Sequence, residues 1–317
     1  MTSHVVVGGC GFLGRHLARG LKQSGEDVAV VDICPFPAES TISIQTRRFD
    51  ILEASTPDFD AMIDGADVVH HYAWTTLPAS ANADPFADAR DNLRITIGLL
   101  DALKRRGKGR MVFASSGGTV YGKLRTIPVP EDHHLQPITA YGVSKVAAEN
   151  YLRLYRHLHG VDSRVVRISN PYGAGQNPSR QQGAVTTFVH RAMHRVPIEI
   201  WGDGETVRDY IHVMDVVPAL IAASRMPSAD ELEMPIFNVG SGQRYTLREI
   251  VKLVEAALGE SLEINWKPTR PFDVPISVLD IGRAKRELNW APEIDLQAGI
   301  LRMIQDLSID EHRQYSS

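Results

Sequence analysis

The chain has 317 residues, of which 43% are hydrophobic and 23% charged, ordinary proportions for one large domain or two closely packed ones. Its 34 Lys and Arg against 38 Asp and Glu leave a formal charge of −4, which argues against a nucleic-acid binder. No apolar run reaches the ~18 residues of a membrane span. A strand that starts at His4 without a basic leader, and two cysteines (Cys10, Cys34) without metal-type spacing, predict a cytoplasmic chain with no metal site and no secretory signal.

In chain order, Val5-Val6-Val7 reads as a strand buried on both faces, followed by a glycine turn over 8–14. A helix over 12–24 stops at Gly25, and a second strand covers 28–31. Further strands are expected over 46–49, 68–70, 110–114 and 163–168. A long helix over 85–106 ends at Gly107, and another over 141–159 ends at Gly160. This alternation predicts an α/β fold: a Rossmann-type doubly wound parallel sheet. After Asn170 the texture changes to polar loops, proline-bearing stretches and shorter elements. The expected division is a dinucleotide-binding domain over 1–169, with later returns near 205–225 and 235–240. A smaller α+β domain over 170–317 would bind substrate. Ligands of such sheets gather at the carboxyl ends of the strands.

Gly8, Gly11 and Gly14 stand between a strand and a helix. That spacing serves a tight turn, a close backbone approach to a pyrophosphate, and a helix packed hard on its strand. The backbone of Phe12 and Leu13 then lies at the helix N-terminus, where free amides and a partial positive charge suit phosphate. Asp32, at the end of the second strand, can hold both ribose hydroxyls of NAD and would repel the 2′-phosphate of NADP. The bland alternative is a loop cap. Arg47 and Arg48, on the neighbouring strand, are either solvated or within reach of a phosphate.

Tyr141 and Lys145 are four apart on a predicted helix and so share a face. They follow the hydroxyl-rich segment Ser115-Ser116-Gly117-Gly118-Thr119-Val120-Tyr121-Gly122. A free phenol ionises near pH ~10, and lowering that by about three units requires roughly 4 kcal/mol of differential stabilisation. An ammonium and a cationic nicotinamide ring in a dry site are able to supply it. His190 and His194 lack a third ligand, and the run from Lys104 to Lys108 reads as a solvated helix end. Cys10 reads as a small apolar residue.

With these residues in hand, the chain resembles the extended short-chain dehydrogenase/reductase family, and within it the UDP-hexose 4-epimerases. The likeness spans nearly the whole chain and rests on the glycine triplet, Asp32, Asp50-Ile51, His71-Tyr72-Ala73, Asn92, 115–122, Tyr141-x-x-x-Lys145, Asn170-Pro171, 208–213 and Arg270-x-x-Asp273. The resemblance implies NAD as cofactor, a UDP-sugar as substrate and a homodimer formed through the two long helices. It implies adenine contacts from Asp50 and Ile51, a cofactor border of Tyr72, Ala73 and Ser115, and support from Asn92. Lys145 would bind the nicotinamide ribose and keep Tyr141 ionised. Asn170, Arg208 and Arg270 would lie at the diphosphate, where a guanidinium fork pairs phosphate oxygens, and Asp273 on the uridine ribose. Trp201 would sit beside uracil, or be an ordinary core aromatic.

Two departures from the family pattern stand out. The usual catalytic Ser or Thr is replaced by Gly117, leaving Ser116, with Thr119 close behind, to assist Tyr141. Ser277 is small where sugar-restricted relatives carry a bulky residue, which would leave room for an N-acetyl group. The activity implied is a redox-neutral C4 inversion through a 4-keto sugar. A 4,6-dehydratase or decarboxylase would want acidic residues where Gly118 and Thr119 stand. A 4-keto reductase remains a rival, as does a non-catalytic NAD-binding scaffold or sensor, which would be expected to lose Tyr141 or Lys145.

Overall fold

A computed structural model describes residues 1–37, 43–178, 183–227, 233–269 and 274–315, with side chains described as far as residue 309. The first half runs β1 (Ser3–Val7), α1 (Phe12–Gln23), β2 (Asp27–Asp32), β3 (Gln45–Arg48), α2 (Thr56–Met62) and β4 (Val68–His71). It continues through α3 (Pro78–Ala83), α4 (Pro85–Arg106), β5 (Arg110–Ser116), α5 (Ala140–His159) and β6 (Asp162–Ile168). There follow β7 (Asn170–Tyr172), α6 (Ala184–Met193), β8 (Ile198–Trp201), β9 (Val207–Arg208), β10 (Tyr210–His212), α7 (Val213–Arg225) and β11 (Ile236–Val239). The chain closes with β12 (Tyr245–Thr246), α8 (Leu247–Leu258), β13 (Ile264–Lys267), β14 (Ile276–Ser277), α9 (Gly282–Glu287) and α10 (Leu296–Tyr315).

Seven parallel strands form the main sheet in the order β11-β6-β5-β4-β1-β2-β3. The order reverses between β1 and β4, so the crevice for a ligand opens at the carboxyl ends of those two strands. Val5 and Val7 face one core layer and Val6 the other, which is why the strand is apolar at every position. On one face α1 and α7 cover the sheet through Leu17, Leu21, Val216 and Leu220. On the other, α4 and α5 cover it through Ile95, Leu99, Leu103, Ala148 and Leu152. Both long helices end at glycines in the left-handed conformation, Gly107 and Gly160, as their positions predicted.

Some bounds moved. The third strand covers Gln45–Arg48, and Phe49 leaves the ladder to pack against the core beneath α4. The short helices α2 and α3 carry too few turns for a periodic signal, and only the structure reveals them. Beyond Asn170 a separate core joins α6, α8, α10 and β8 through Val185, Phe188, Ile200, Ile250, Val254 and Ile300. β11 returns to the edge of the main sheet beside β6, while β9 pairs with both β12 and β14.

One buried polar network ties the sheet to α5. Arg167 and Glu149 are each 1% exposed and joined by two bonds, Nε to Oε1 at 3.1 Å and Nη2 to Oε2 at 2.7 Å. Ser115 donates to the same carboxylate at 2.6 Å, and Arg167 also donates to the Tyr121 hydroxyl at 2.9 Å. Removing one partner leaves an uncompensated buried charge. Glu149→Ala is therefore expected to lower stability by about 3–5 kcal/mol, read as a shift of the urea unfolding midpoint.

Candidate active site

At the carboxyl end of β1 the chain turns on Gly8, whose φ is +81°, and enters α1. A Cβ on Gly8 would lie 2.5 Å from the backbone nitrogen of Ala73, and one on Gly14 would lie 2.5 Å from the Gly8 carbonyl oxygen. Glycine at both positions lets the β4 exit, Tyr72-Ala73, and the helix close onto the turn. The first turn of α1 has neither a side-chain cap nor an acidic residue, so its amides, at Phe12 and Leu13 among others, stay open to an anion. Asp32 stands at the end of β2. Its two carboxylate oxygens accept the Cys10 and Cys34 amides at 2.9 and 3.2 Å, which fixes the carboxylate beside the turn with lone pairs left for hydroxyl donors. Arg47 is engaged elsewhere: it donates to the carbonyls of Ala61, Met62 and Asp64 at the end of α2. Cys10 is buried, and burial first, with Asp32 adding, pushes its thiol up to about 12. Asp50 folds back on the amide of Leu52 at 3.1 Å, and Arg94 holds the Ile51 and Leu52 carbonyls from α4.

Tyr141 and Lys145 lie on one face of α5, in the layer against β4 and β5. Lys145 is 4% exposed; its Nζ donates to the Ala114 carbonyl at 2.8 Å and lies 3.6 Å from the centre of the Trp74 ring. The Tyr141 ring centre is 5.6 Å from that nitrogen, and Trp74 meets Tyr141 edge-on at 6.0 Å. Burial pushes the Lys145 ammonium down to about 7, opposed by the carboxylates of Glu149 and Asp88. Burial, reinforced by Asp88, holds the Tyr141 phenol above its ordinary value. A cation brought against this pair would favour the phenolate. His71, buried on β4, bonds Thr96 at 2.9 Å and stays neutral, burial holding it down to about 3 with Lys145 adding.

Of the residues beneath this pair the sequence reading named Asn92 but not Asp88, Thr75, Thr76 or Ser144. Asn92 donates to Asp88 and accepts the Thr75 amide at 2.9 Å, pinning the loop after β4 to α4. Asp88 also accepts from Ser144, Lys145's chain neighbour, and from Thr76. A signal was present: Asp88 and Asn92 are four apart on the helix face that must turn inward.

The hydroxyl-rich segment resolves into distinct fates. Ser115 is committed to Glu149. At Gly117 a Cβ would lie 2.5 Å from the Leu279 Cδ1, so Leu279 fills the space where a hydroxyl-bearing residue would stand. Ser116 ends β5, and its carbonyl turns back to accept the Thr119 and Val120 amides. The Thr119 Oγ1 is buried with no hydrogen-bond partner among the described residues, as are Tyr72 Oη, His71 Nδ1 and Trp74 Nε1. Four orphaned polar atoms around the ends of β4 and β5, a glycine turn that admits no side chain, and a carboxylate at the end of β2 suit a dinucleotide with a polar co-substrate.

Across this crevice Asn170 donates its side-chain amide to the Asp209 carbonyl at 2.8 Å. Arg208 and Ser277 are register partners on β9 and β14, and Ser277 is buried. Trp201 ends β8, half-buried. Arg270 and Asp273 lie outside the described residues. His190 and His194 stack at 4.2 Å, and among the described residues no three His, Cys, Asp or Glu gather to hold a metal. No helix among them is long and apolar enough to cross a membrane.

The sequence pattern of the NAD dependent epimerase/dehydratase family matches residues 4–240. A putative UDP-glucose 4-epimerase of Methanocaldococcus jannaschii is 32% identical over 302 residues, covering 95% of this chain and 96% of its own. The dTDP-4-dehydro-6-deoxyglucose reductase of Escherichia coli is also 32% identical, over 311 residues and 96% of each chain. Among solved structures, UDP-glucose 4-epimerase of Thermotoga maritima with UDP-glucose has a TM-score of 0.90 at 30% identity, covering 98% of this chain and 100% of its own. UDP-glucose 4-epimerase of Thermus thermophilus in complex with NAD has a TM-score of 0.88 at 29% identity, covering 97% and 99%.

Proposed function

Because the chain belongs to the NAD-dependent epimerase/dehydratase family, with NAD as cofactor, we propose that it is a 4-epimerase of a UDP-hexose or UDP-N-acetylhexosamine, acting through a 4-keto sugar. The observation that carries this reading is the buried Lys145 ammonium beside Tyr141 at the open end of the sheet. Gly118 and Thr119 stand where dehydration or decarboxylation would need a carboxylate beside the sugar.

In this reading Gly8, Gly11 and Gly14, with the Phe12 and Leu13 backbone, hold the pyrophosphate, and Asp32 holds the adenosine ribose. Arg47 is occupied by the end of α2, which favours NAD over NADP. Asp50, Ile51, Tyr72, Ala73, Asn92 and Ser115 frame the rest of that site. Bound NAD supplies the hydride acceptor, and then donor, that oxidises and re-reduces C4. Tyr141, as phenolate, takes the proton of the C4 hydroxyl and later returns it to the C4 oxygen. Lys145 stabilises the phenolate and holds the nicotinamide ribose. Thr119 is the better of the two candidate helpers: its hydroxyl is buried and has no other bond among the described residues, so it is free for the C4 oxygen. Asn170, Arg208 and Arg270 anchor the diphosphate, Trp201 and Asp273 the uridine, and Ser277 leaves room at C2. The division of labour follows: 1–169, with returns near 205–225 and 235–240, for the cofactor, and 170–317 mainly for the nucleotide sugar. α4 and α5 expose Phe86, Val143, Leu154 and Leu158, the apolar face through which a homodimer would form in the cytoplasm.

The likeness to a 4-keto reductase keeps that second reading in play. Purified protein that carries NAD and interconverts sugars without consuming reductant supports the epimerase; an empty site with stoichiometric NADPH oxidation supports the reductase. Tyr141→Phe should lose about 10²–10⁴-fold in turnover while still binding UDP, and wild-type rates would refute its role as base. Thr119→Val should cost about tenfold or more in kcat and Ser116→Ala much less; the reverse order would return the helper role to Ser116. Finally, NMR of products should reveal inversion of both UDP-glucose and UDP-N-acetylglucosamine, with Ser277→Tyr selectively losing the N-acetylated sugar. Comparable turnover of both sugars by that variant would count against the size argument.

A further inference from the structure

Beneath the reacting pair lies a charge that the proposed chemistry does not use. Asp88, in the first turn of α4, is 0% exposed. Its Oδ1 accepts from Thr76 and from Asn92 Nδ2, the latter at 3.0 Å, and its Oδ2 accepts from Ser144 at 2.5 Å. These donors are all neutral. Three hydrogen bonds satisfy the oxygens, yet a fully buried carboxylate is costly unless an opposite charge stands near. Ser144 precedes Lys145 on α5, so the hydrogen bond to its hydroxyl holds the buried carboxylate against the helix that carries the pair.

We propose that Asp88 is a positioning residue of this site, a buried anion that favours the Lys145 ammonium alongside Glu149 and sets the pH at which Tyr141 releases its proton. The proposal rests on the reading of Tyr141 as the base. The other ionisable groups around Asp88 are paired or neutral, and of the two carboxylates that favour the Lys145 ammonium only Asp88 also holds the Tyr141 phenol up. On α5, Glu149 is paired in bidentate fashion with Arg167. From β4, His71 is held neutral by burial. On α4 itself, Asp84 caps the helix and Asp91 is paired with Arg90. The loop after β4 contributes Thr75, Thr76 and the Tyr72 phenol, which burial holds neutral, and α3 has no ionisable side chain. The direction is set by sign alone. A nearby anion disfavours ionisation of a phenol and favours protonation of an amine, so removing it moves both transitions toward acid.

The test is a tyrosinate absorbance titration of NAD-loaded protein, with the Tyr141 transition isolated by subtracting the matching Tyr141→Phe variant. In Asp88→Asn, which keeps the shape and can still bond both hydroxyls, that transition should move about 1–2 pH units toward acid. The acid limb of kcat with UDP-glucose should move with it. Ser144→Ala keeps the charge and drops one hydrogen bond, so its transition should stay in place. Should the asparagine variant not accumulate as folded protein, Asp88→Ser is neutral and reads the same shift. An unmoved transition in the neutral variants, or an equal shift in Ser144→Ala, overturns the proposal alone. A wild-type protein with no Tyr141-dependent transition overturns the reading of Tyr141 as base and this proposal with it.

Discussion

An ammonium taken out of water beside a phenol is the constraint around which the rest of this molecule is arranged. Desolvation drives both groups toward their neutral forms, and a neutral phenol is too weak a base to take the proton of a sugar hydroxyl near neutral pH. The fold counters this with fixed dipoles and faces. The Ala114 carbonyl at the end of β5 accepts from Lys145, and the rings of Trp74 and Phe113 lie 3.6 and 4.7 Å from its nitrogen. Each stabilises the cation without adding a neutralising charge. The site is thus left sensitive to charge, so that an arriving cation changes its protonation.

That sensitivity demands rigidity, and the polar interior supplies it. Glu149, one turn beyond Lys145, is clamped by Arg167, which reaches in turn to Tyr121; the Tyr121 hydroxyl donates to Asn238 on β11 at 2.6 Å. The helix bearing the reactive pair is therefore tied through side chains to β6 and β11. On the far side Asp209, itself 0% exposed, accepts from the Ser241, Gly242 and Leu279 amides at 2.7, 3.2 and 3.3 Å. One carboxylate gathers the loop after β11 and the segment after β14 against β9. Leu279, placed by that bond, fills the space above Gly117. The missing hydroxyl and the leucine in its place are two sides of one packing solution.

What could be read from the amino acids alone was whatever depends on local periodicity and steric need. Strands uniform in valine, helices punctuated by Gly107 and Gly160, glycines at fixed spacing and a Tyr–Lys pair one helical turn apart each carry their reason within a few residues. The α/β layering and the location of the cofactor end followed from these. Resemblance supplied the sugar-side residues, which short-range pattern could not.

The tertiary structure decided whatever depends on residues far apart in sequence. That Arg47 serves α2, that Ser115 serves Glu149, and that Leu279 covers Gly117 are contacts across 14, 34 and 162 positions, and no local pattern encodes them. Asp88 is the clearest case. In the sequence it is one acidic residue among 38 Asp and Glu, and only the packing of α4 on α5 brings it onto Ser144, the residue before Lys145. Charge acts through space and burial rather than along the chain, so its consequences appear only once the helices have met.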